Sequence, residues 1–407
     1  MLALLAPGQG AQVPGFLAPW LELAGVADAV TWWSAVLDLD LAHLGTLADA
    51  DEIKDTAVAQ PLLVGAGLAA ASVLFPDGQG QFGETTPLTQ FDDVASNVAA
   101  VAGHSVGEIT AAALAGVLTP ESALVFVRER GRAMARAAAT TPTGMTALLG
   151  GDPQAVLDKL AELGLTAANV NAAGQVVAAG TAEQLAALAA DPPEGARLRP
   201  LAVAGAFHTE HMAPAVDRLR QLAAGIPAFE PGTRLLSNAD GRVIQHGKEF
   251  IERLVAQVAA PVRWDACMKT LGDLGVTAII ELPPAGTLTA LVKRALPEVE
   301  TLALKTPDDL DAARELIEKH RHDIEFTATP SWRLLVAPLA GTFEAGGATL
   351  GESLVPGAVL GRVVTRREAQ EVVAVHGGTL VEWLVENGDP VSPGQPLARL
   401  HPEVVSA

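Results

Sequence analysis

The pattern of hydrophobic and polar positions divides the chain into two regions with different predicted structure. Across residues 1–305, short apolar runs at 2–6, 98–102, 176–180 and 277–282 alternate with Ala/Leu-rich segments of helical character. Such alternation is typical of a sheet whose strands are connected by helices. The first region is therefore predicted to be an α/β domain with a mostly parallel sheet.

A smaller unit is predicted inside this domain, at about 131–200. Two strand-like segments at 145–151 and 165–180 precede an Ala-rich helical segment at 181–190. Short strands followed by a helix indicate a small inserted α+β subdomain, which we expect to be ferredoxin-like.

The pattern changes after residue 305. Residues 306–330 are predicted to be a polar-faced helix, with Thr306 as its N-cap, followed by a linker. From 331 to 407 the chain has many glycines and prolines between short β-type runs. This region is predicted to be a separate all-β domain.

Composition excludes several classes of function. The 407 residues include 47 acidic and 27 basic side chains, for a formal net charge of −20, which argues against nucleic-acid binding. The single cysteine, Cys267, fits a reducing compartment, so a cytoplasmic location is expected. The longest uncharged apolar run, 61–75, is short for a membrane span and predicts a buried helix.

One short motif carries candidate chemistry. The apolar run at 98–102 leads into Gly103-His104-Ser105-Val106-Gly107, and a helical segment follows. A serine between glycines at a strand-to-helix turn is the pattern of a nucleophile elbow, where helix N–H groups point toward the serine. The alternative is a turn selected only for tight packing.

Further motifs occur in a specific order along residues 1–305. They are PGQGAQ (7–12), VAQP (58–61), VRERGRAM (127–134), NVNAAGQVV (169–177), GAFHTEHM (205–212), SNADG (237–241), PVRW (261–264) and ELPPAGTLTAL (281–291). With the serine motif, this series resembles the malonyl-CoA:acyl-carrier-protein transacylases and the acyltransferase domains of fatty-acid and polyketide synthases.

The resemblance implies a catalytic role for several residues. Ser105 corresponds to the acyl-accepting nucleophile, and His208 corresponds to its general base. The carbonyl of Gln257 is expected to orient the histidine. The backbone N–H groups of Gln9 and Val106 are expected to form the oxyanion hole.

The resemblance also implies substrate-binding residues. Arg130 matches the arginine that binds the malonyl carboxylate, for which a planar guanidinium is well suited. Gln60 and Asn171 match polar residues that line or support the pocket. Phe207, before the histidine, is expected to disfavour a branched extender unit and so to favour malonyl.

The implied reaction is malonyl transfer from malonyl-CoA to the phosphopantetheine thiol of acyl carrier protein, with no metal or redox cofactor. Fatty-acid synthesis is the expected pathway. A polyketide pathway, with the last domain as a docking module, and a serine hydrolase or thioesterase remain alternatives. A metal site at His320 and His322 is a further alternative, but no additional ligand cluster accompanies these residues.

The last region shows a second resemblance. Its segments LLVAPLAGTFEAGG and GGTLVEWLVENGDPVSPGQPLARL resemble the two halves of a biotinyl/lipoyl domain, a flattened β-sandwich. The hairpin that carries a modified lysine in such domains is expected at 365–371, which contains Arg366 and Arg367, and the last lysine of the chain is Lys319. The resemblance therefore implies a degenerate domain that docks a fatty-acid synthase or acyl-CoA carboxylase component. A passive appendage is the alternative.

Overall fold

The structure, a computed structural model, describes residues 1–75, 91–172, 174–321, 333–366, 368–375 and 377–401. The chain divides into two compact units, Met1–Phe326 and Thr327–Ala407. The division falls inside the segment 306–330, for which we predict a helix and a linker. Its helix is present at Leu310–His320, whereas residues 322–330 lie outside the described part.

The first unit contains strands from two sheets and the helices around them. Its strands are β1 (Leu2–Ala6), β2 (Ala100–Gly103), β3 (Thr143–Gly150), β4 (Thr166–Ala172), β5 (Gln175–Thr181), β6 (Ala196–Pro200), β7 (Arg234–Leu236), β8 (Val243–Ile244), β9 (Val262–Arg263), β10 (Ala278–Glu281) and β11 (Glu300–Ala303). Its α-helices are α1 (Ala18–Leu21), α2 (Val26–Leu37), α3 (Leu41–Thr46), α4 (Thr56–Leu74), α5 (Asp92–Asn97), α6 (Gly107–Leu114), α7 (Pro120–Ala138), α8 (Pro153–Glu162), α9 (Ala182–Ala190), α10 (Ala213–Ala223), α11 (Gly247–Gln257), α12 (Trp264–Asp273), α13 (Thr287–Ala295) and α14 (Leu310–His320). Short 3₁₀ helices occur at Glu210–Met212 and Pro307–Asp309.

The main sheet has six strands in the order β11-β10-β1-β2-β7-β8. Every pairing in it is parallel except that of β7 with β8. Strands β1, β2 and β10 are buried along their whole length, as expected for central strands covered on both faces. The predicted α/β domain with a mostly parallel sheet is confirmed.

Helix α4 lies at the centre of the hydrophobic core. It begins after Asp55, whose side chain accepts a hydrogen bond from the Ala57 N–H group, so it starts before the predicted run 61–75. With 19 residues it is long and apolar enough to cross a membrane, but 83% of its most apolar window is buried inside the protein. The helix thus packs as a core element, and α7 lies against it.

The second sheet of this unit has the order β6-β3-β5-β4-β9. Strands β3 to β6 pair antiparallel, and the short strand β9 pairs parallel with β4. The sequence-based boundary of 131–200 differs from the observed elements, because residues 131–138 continue α7 and strand pairing starts at Thr143. Strand β9 belongs to the segment that follows α11, so its pairing with β4 joins that segment to this sheet.

The second unit contains eight strands in its described residues. They are β12 (Arg333–Val336), β13 (Gly341–Ala345), β14 (Ser353–Leu354), β15 (Ala358–Val364), β16 (Ala369–Ala374), β17 (Gly378–Trp383), β18 (Pro390–Val391) and β19 (Pro396–His401). They form two four-stranded sheets, with orders β12-β19-β17-β14 and β16-β15-β13-β18. Arg366 lies in the turn between β15 and β16, and Arg367 is outside the described residues.

The two halves of the second unit are related by an internal repeat. Corresponding strands of the two halves differ by four in number, so β12 corresponds to β16, β13 to β17, β14 to β18 and β15 to β19. When each strand is replaced by its counterpart, the order of one sheet becomes the order of the other. The sequences follow the same shift at a constant offset of 373 − 336 = 37 residues. Identical pairs at this offset are Val336/Val373, Ala337/Ala374, Gly341/Gly378, Thr342/Thr379, Gly351/Gly388, Pro356/Pro393, Gly357/Gly394, Leu360/Leu397 and Arg362/Arg399.

Candidate active site

The serine motif forms a sharp turn between β2 and α6. Ser105 has a left-handed backbone conformation, with φ of 53°, which is uncommon for a residue with a side chain. A Cβ atom at Gly103 would overlap the Gly107 carbonyl, and one at Gly107 would overlap the Ala6 carbonyl of β1. Both glycines are therefore required for the turn, and the turn presents the Ser105 hydroxyl at the carboxyl end of the sheet.

The Ser105 hydroxyl lies beside an imidazole. The distance from Ser105 Oγ to His208 Nε2 is 2.8 Å, although the two residues are 103 positions apart in the chain. His208 is 4% exposed and also has a left-handed backbone, with φ of 63°. This geometry allows the imidazole to accept the hydroxyl proton.

Gln257, the last residue of α11, holds the other side of the imidazole. Its backbone carbonyl oxygen lies 3.0 Å from His208 Nδ1, and its side-chain Nε2 lies 3.0 Å from the same atom. A carbonyl oxygen only accepts, so we assign the proton to Nδ1, which donates it to this oxygen. The side-chain amide nitrogen of Gln257 is itself a donor and makes no hydrogen bond to Nδ1 in this tautomer. That tautomer leaves Nε2 of His208 free to accept from Ser105.

The environment keeps the imidazole neutral. Burial, and after it the nearby charge of Arg130, lower the pKa of His208 to about 3. The hydrogen bond to the Gln257 carbonyl opposes this shift. His208 is consequently in the base form at neutral pH.

Arg130 is a buried cation beside the serine. Its guanidinium, 1% exposed, donates to Gln60 Oε1 at 2.6 Å, to Gln257 Oε1 at 3.2 Å and to Ser105 Oγ at 3.4 Å. Burial lowers its pKa to about 10, so the group stays charged at neutral pH. Within the described ranges, no carboxylate forms an ion pair with it, and the site therefore favours an anionic ligand.

Close packing of α7 on α4 brings this arginine to its partners. Gly131 follows Arg130, and a Cβ atom there would lie 2.9 Å from the Thr56 carbonyl oxygen of α4. The missing side chain lets the two helices approach at this point. Gln60 and Arg130 then meet across the helix interface, at the 2.6 Å distance given above.

Asn171 lies behind the turn rather than next to Ser105. Its Oδ1 atom is 2.9 Å from Nε2 of His104, the residue before the nucleophile. The His104 ring also contacts Trp264 edge-on, with ring centroids 5.5 Å apart. The structure therefore places Asn171 in contact with the residue that supports the turn.

The Gln9 loop packs against the same turn. A Cβ atom at Gly8 would lie 2.9 Å from both Nδ1 and the carbonyl oxygen of His104, so only glycine permits this approach. The Gln9 side chain donates to the Lys54 carbonyl oxygen at 3.0 Å. Neither the Gln9 nor the Val106 backbone N–H group donates to another residue in the described part of the chain.

Phe207, next to His208, is 7% exposed and belongs to the hydrophobic core of the first unit. The position of its side chain is therefore set by core packing. His320, considered above for metal binding, is hydrogen-bonded to Thr277 and Glu300, and His322 lies outside the described residues. No group of three potential metal ligands occurs among the residues that the structure describes.

Sequence reasoning did not single out two buried residues near the serine. The Asn238 side chain accepts a hydrogen bond from the Ser105 N–H group at 2.8 Å, and the Asn238 N–H group donates to Glu108 Oε1 at 2.7 Å. Asn238 lies in the SNADG motif, and Glu108 directly follows Gly107 of the serine motif. Their positions in or beside these motifs could have marked them as candidate site residues. Their contacts with Ser105 and with each other, however, depend on the fold.

Comparison with known proteins identifies the family. The acyl transferase domain family model matches residues 5–316. The malonyl CoA-acyl carrier protein transacylase of Mycobacterium bovis is 50% identical over 316 residues, which are 78% of this chain and all of that protein. This chain belongs to the malonyl CoA-acyl carrier protein transacylase family. The transacylase of Bacillus subtilis, 31% identical over 78% of this chain and 98% of its own length, is a more distant relative.

Solved transacylase structures share the fold of the first unit. The crystal structure of MCAT from Mycobacterium tuberculosis superposes with a TM-score of 0.71 at 50% identity, covering 77% of this chain and 99% of that one. A malonyl-transacylase in complex with a type II PKS acyl-carrier protein has a TM-score of 0.69 at 29% identity, covering 77% of this chain and 99% of its own. The transacylase family match ends before Thr327, where the second unit begins.

Glu108 provides a testable pH dependence in this transacylase. Burial raises the pKa of its carboxyl to about 8 from 4.5, so the folded protein binds a proton there that the unfolded chain loses above about pH 4.5. The contribution of this carboxyl to stability is fully present below about pH 4.5 and is lost as the pH rises toward 8. We expect the free energy of unfolding of the wild type, measured relative to that of Glu108→Gln by urea denaturation, to fall as the pH rises from about 5 to 8, because all other titrating groups are common to both proteins.

The exposed residue Glu162, which pairs with Lys159 on α8, provides the control. Glu162→Gln should leave the slope of stability against pH as it is in the wild type. Equal slopes for Glu108→Gln and the wild type would contradict the assignment of Glu108 as the titrating group.

Proposed function

We propose that this protein transfers a malonyl group from malonyl-CoA to the phosphopantetheine thiol of acyl carrier protein, through a malonyl-serine intermediate. The observation that carries the proposal is the juxtaposition of a serine–histidine pair with a buried guanidinium that has no carboxylate ion-pair partner among the described residues. The pair supplies acyl-transfer chemistry, and the guanidinium supplies selectivity for an acyl group that ends in a carboxylate.

The first half-reaction forms the intermediate. His208 Nε2 takes the proton of the Ser105 hydroxyl as Oγ attacks the thioester carbonyl carbon of malonyl-CoA. The Val106 and Gln9 N–H groups stabilise the oxyanion. The C–S bond then breaks, and the CoA thiolate leaves with the proton that His208 had taken.

The second half-reaction reverses these roles. His208 deprotonates the phosphopantetheine thiol, whose sulfur attacks the malonyl-serine ester carbonyl. When the C–O bond breaks, Ser105 Oγ recovers the proton from His208, and malonyl is bound as a thioester to the carrier protein. The proposed chemistry uses neither a metal nor a redox cofactor.

Arg130 is the proposed ligand of the malonyl carboxylate. Gln60 and Gln257 hold the guanidinium in one orientation through their side-chain oxygens. Phe207, next to His208, is the residue we propose to limit the space for a branched acyl group, and one methyl group in a tight pocket changes binding by about 1–3 kcal/mol. The site is therefore expected to prefer malonyl over methylmalonyl.

Two alternative functions would use these same contacts. A hydrolase or thioesterase would transfer the acyl group to water, and the buried cation beside the serine favours a malonyl substrate without deciding the acceptor. A polyketide pathway would use the same first unit with a different carrier protein. We favour fatty-acid synthesis in the cytoplasm, with acyl carrier protein as the acceptor.

The central test is detection of the covalent intermediate by intact mass. Malonyl-CoA should add one malonyl group to the wild type, and Ser105→Ala should abolish the adduct. His208→Ala should slow its formation by about 10²–10⁴-fold, because the general base is lost. With holo acyl carrier protein added, the malonyl group should move to the carrier. Release as free malonate at a comparable rate would instead support the hydrolase alternative.

The selectivity test compares two acyl donors. Arg130→Ala should reduce the binding free energy of the malonyl group by about 2–5 kcal/mol, because its buried carboxylate loses its partner, and malonyl transfer should slow accordingly. Acetyl transfer should lose much less, and Arg130→Lys should restore malonyl transfer only in part because lysine lacks the planar fork. Initial rates with malonyl-CoA and acetyl-CoA measure this difference.

Arg132, 41% exposed on the same helix, is the matched control, and Arg132→Ala should leave the ratio of the two rates unchanged. Equal losses of malonyl and acetyl transfer in Arg130→Ala would show that Arg130 has a structural role only.

We propose further that the second unit is a degenerate biotinyl/lipoyl-like β-sandwich that serves as a docking module. Two four-stranded sheets related by an internal repeat, with a hairpin from β15 to β16, support this proposal. The sequence has no lysine after Lys319, so the hairpin cannot carry biotin or lipoate on a lysine. The proposed partner is a fatty-acid synthase or acyl-CoA carboxylase component.

Two measurements test this second proposal. The full-length protein, incubated with biotin or lipoyl ligase, should show no mass increase. A chain ending at Phe326 should keep malonyl transfer but lose a synthase or carboxylase subunit that the full-length protein captures from native extract. A ligase-dependent mass increase would refute the lysine argument, and unchanged capture after truncation would refute docking by this unit.

A further inference from the structure

Asn238 uses all of its polar groups in contacts around the nucleophile. Its Oδ1 accepts from the Ser105 N–H group and its Nδ2 donates to the Gly103 carbonyl oxygen, both at 2.8 Å. Its own N–H group donates to Glu108 Oε1 at 2.7 Å, and its carbonyl oxygen accepts from the Arg263 N–H group at 2.8 Å. The residue is completely buried, so these bonds are shielded from water.

The position of Asn238 follows from the sheet. Strand β7 pairs with β2 only at Ala100 and Val101, after which the neighbouring backbone separates. The chain of β2 still has a carbonyl at Gly103 and an N–H group at Ser105, which a paired strand would normally satisfy. The primary amide of Asn238 supplies one donor and one acceptor, as a peptide group would, and extends the pairing around the turn.

We infer that Asn238 is a positioning residue for Ser105: its side-chain amide bridges the Gly103 carbonyl and the Ser105 N–H group and holds the serine in its left-handed conformation. This inference rests on the proposed function, since it concerns the rate at which Ser105 is acylated. Asn238 acts through the backbone of the turn, and the reacting atom is Ser105 Oγ.

The contact also separates the roles of two neighbouring N–H groups. Because the Ser105 N–H group is occupied by Asn238, it is not a donor to the oxyanion. The next N–H group, that of Val106, has no acceptor among the described residues and remains available. The side-chain amide of Asn238 thus fixes the peptide groups that precede Ser105, and the Val106 N–H group that follows Ser105 is left for the substrate.

The interaction requires an amide. In Asn238→Asp, one carboxylate oxygen would still accept from Ser105, but the other would face the Gly103 carbonyl oxygen and repel it. Protonation of that oxygen would restore a donor. The titratable groups that face this position are Glu108 on α6 and Cys267 on α12, and Cys267 Sγ lies 3.7 Å from Asn238 Nδ2.

The experiment measures single-turnover acylation by malonyl-CoA and, independently, labelling of Ser105 by a small fluorophosphonate. We expect Asn238→Asp and Asn238→Ala to slow both reactions by about 10–100-fold, with little change in the malonyl-CoA concentration that gives half-maximal rate. Asn238→Asp should recover part of its rate as the pH is lowered from 8 to 6, and Asn238→Ala should not.

Thr233→Val is the matched control. Thr233 is completely buried just before β7, and its hydroxyl donates to the Val98 carbonyl oxygen at 2.8 Å. Val98 precedes β2, so this contact lies at the opposite end of the strand from Ser105. This variant loses a buried hydrogen bond between the same two chain segments, away from Ser105. It should lower thermal stability while both labelling rates stay within about twofold of the wild type. That change is much smaller than the loss expected when Ser105 itself is displaced.

Each outcome decides one point. Wild-type rates in folded Asn238→Asp, or equal losses in Thr233→Val, would overturn the positioning role. If Asn238→Ala does not fold, the ratio of the Asn238→Asp rate to the wild-type rate at the same pH decides alone, and a ratio that is equal at pH 8 and pH 6 would overturn the inference. Fluorophosphonate labelling of the wild type without malonyl labelling would refute the proposed function while leaving the positioning of Ser105 measurable.

Discussion

The left-handed turn at Ser105 is the constraint on which the site depends. A non-glycine residue in this conformation costs on the order of 1–3 kcal/mol, so the surrounding structure must hold it. Glycines on either side allow β2, α6 and β1 to approach within distances that no Cβ atom would permit. The strain is therefore balanced by packing and hydrogen bonds made by the rest of the first unit, and the result is a half-buried hydroxyl that projects from the turn.

Burial then determines the protonation states around that hydroxyl. The same desolvation that keeps His208 neutral makes the charged Arg130 costly to bury. Two glutamine side chains, from Gln60 and Gln257, compensate the guanidinium with neutral oxygens instead of a carboxylate. A neutral base and a cation that has no carboxylate partner among the described residues thus coexist near one serine, and this combination suits an anionic thioester substrate.

The second unit shows how one sequence pattern repeats within a small fold. The offset of 37 residues preserves glycines, prolines and core positions, which are the residues that turns and strand pairing require. Strand pairs and turns use the same local chemistry in both halves, and the two sheets consequently have equivalent orders. The surface residues follow no such requirement.

The sequence by itself determined the parts of this protein that depend on local chemistry. Apolar runs predicted the parallel sheet, and the glycines around Ser105 predicted the turn, because both patterns reflect short-range geometry. The motifs that contain His208 and Arg130 could be recognised by resemblance to a family. The extent of α4 and the start of β3 were less well predicted, because helix caps and strand pairing set them.

Only the tertiary structure decided which distant groups meet. The contact of Asn238 with Ser105 joins residues 133 positions apart, and no local pattern encodes it. The protonation state of His208 likewise depends on burial, a property of the packed unit and not of the surrounding motif. Hydrogen bonds and desolvation act over a few ångströms in space, whereas sequence motifs record only neighbours along the chain.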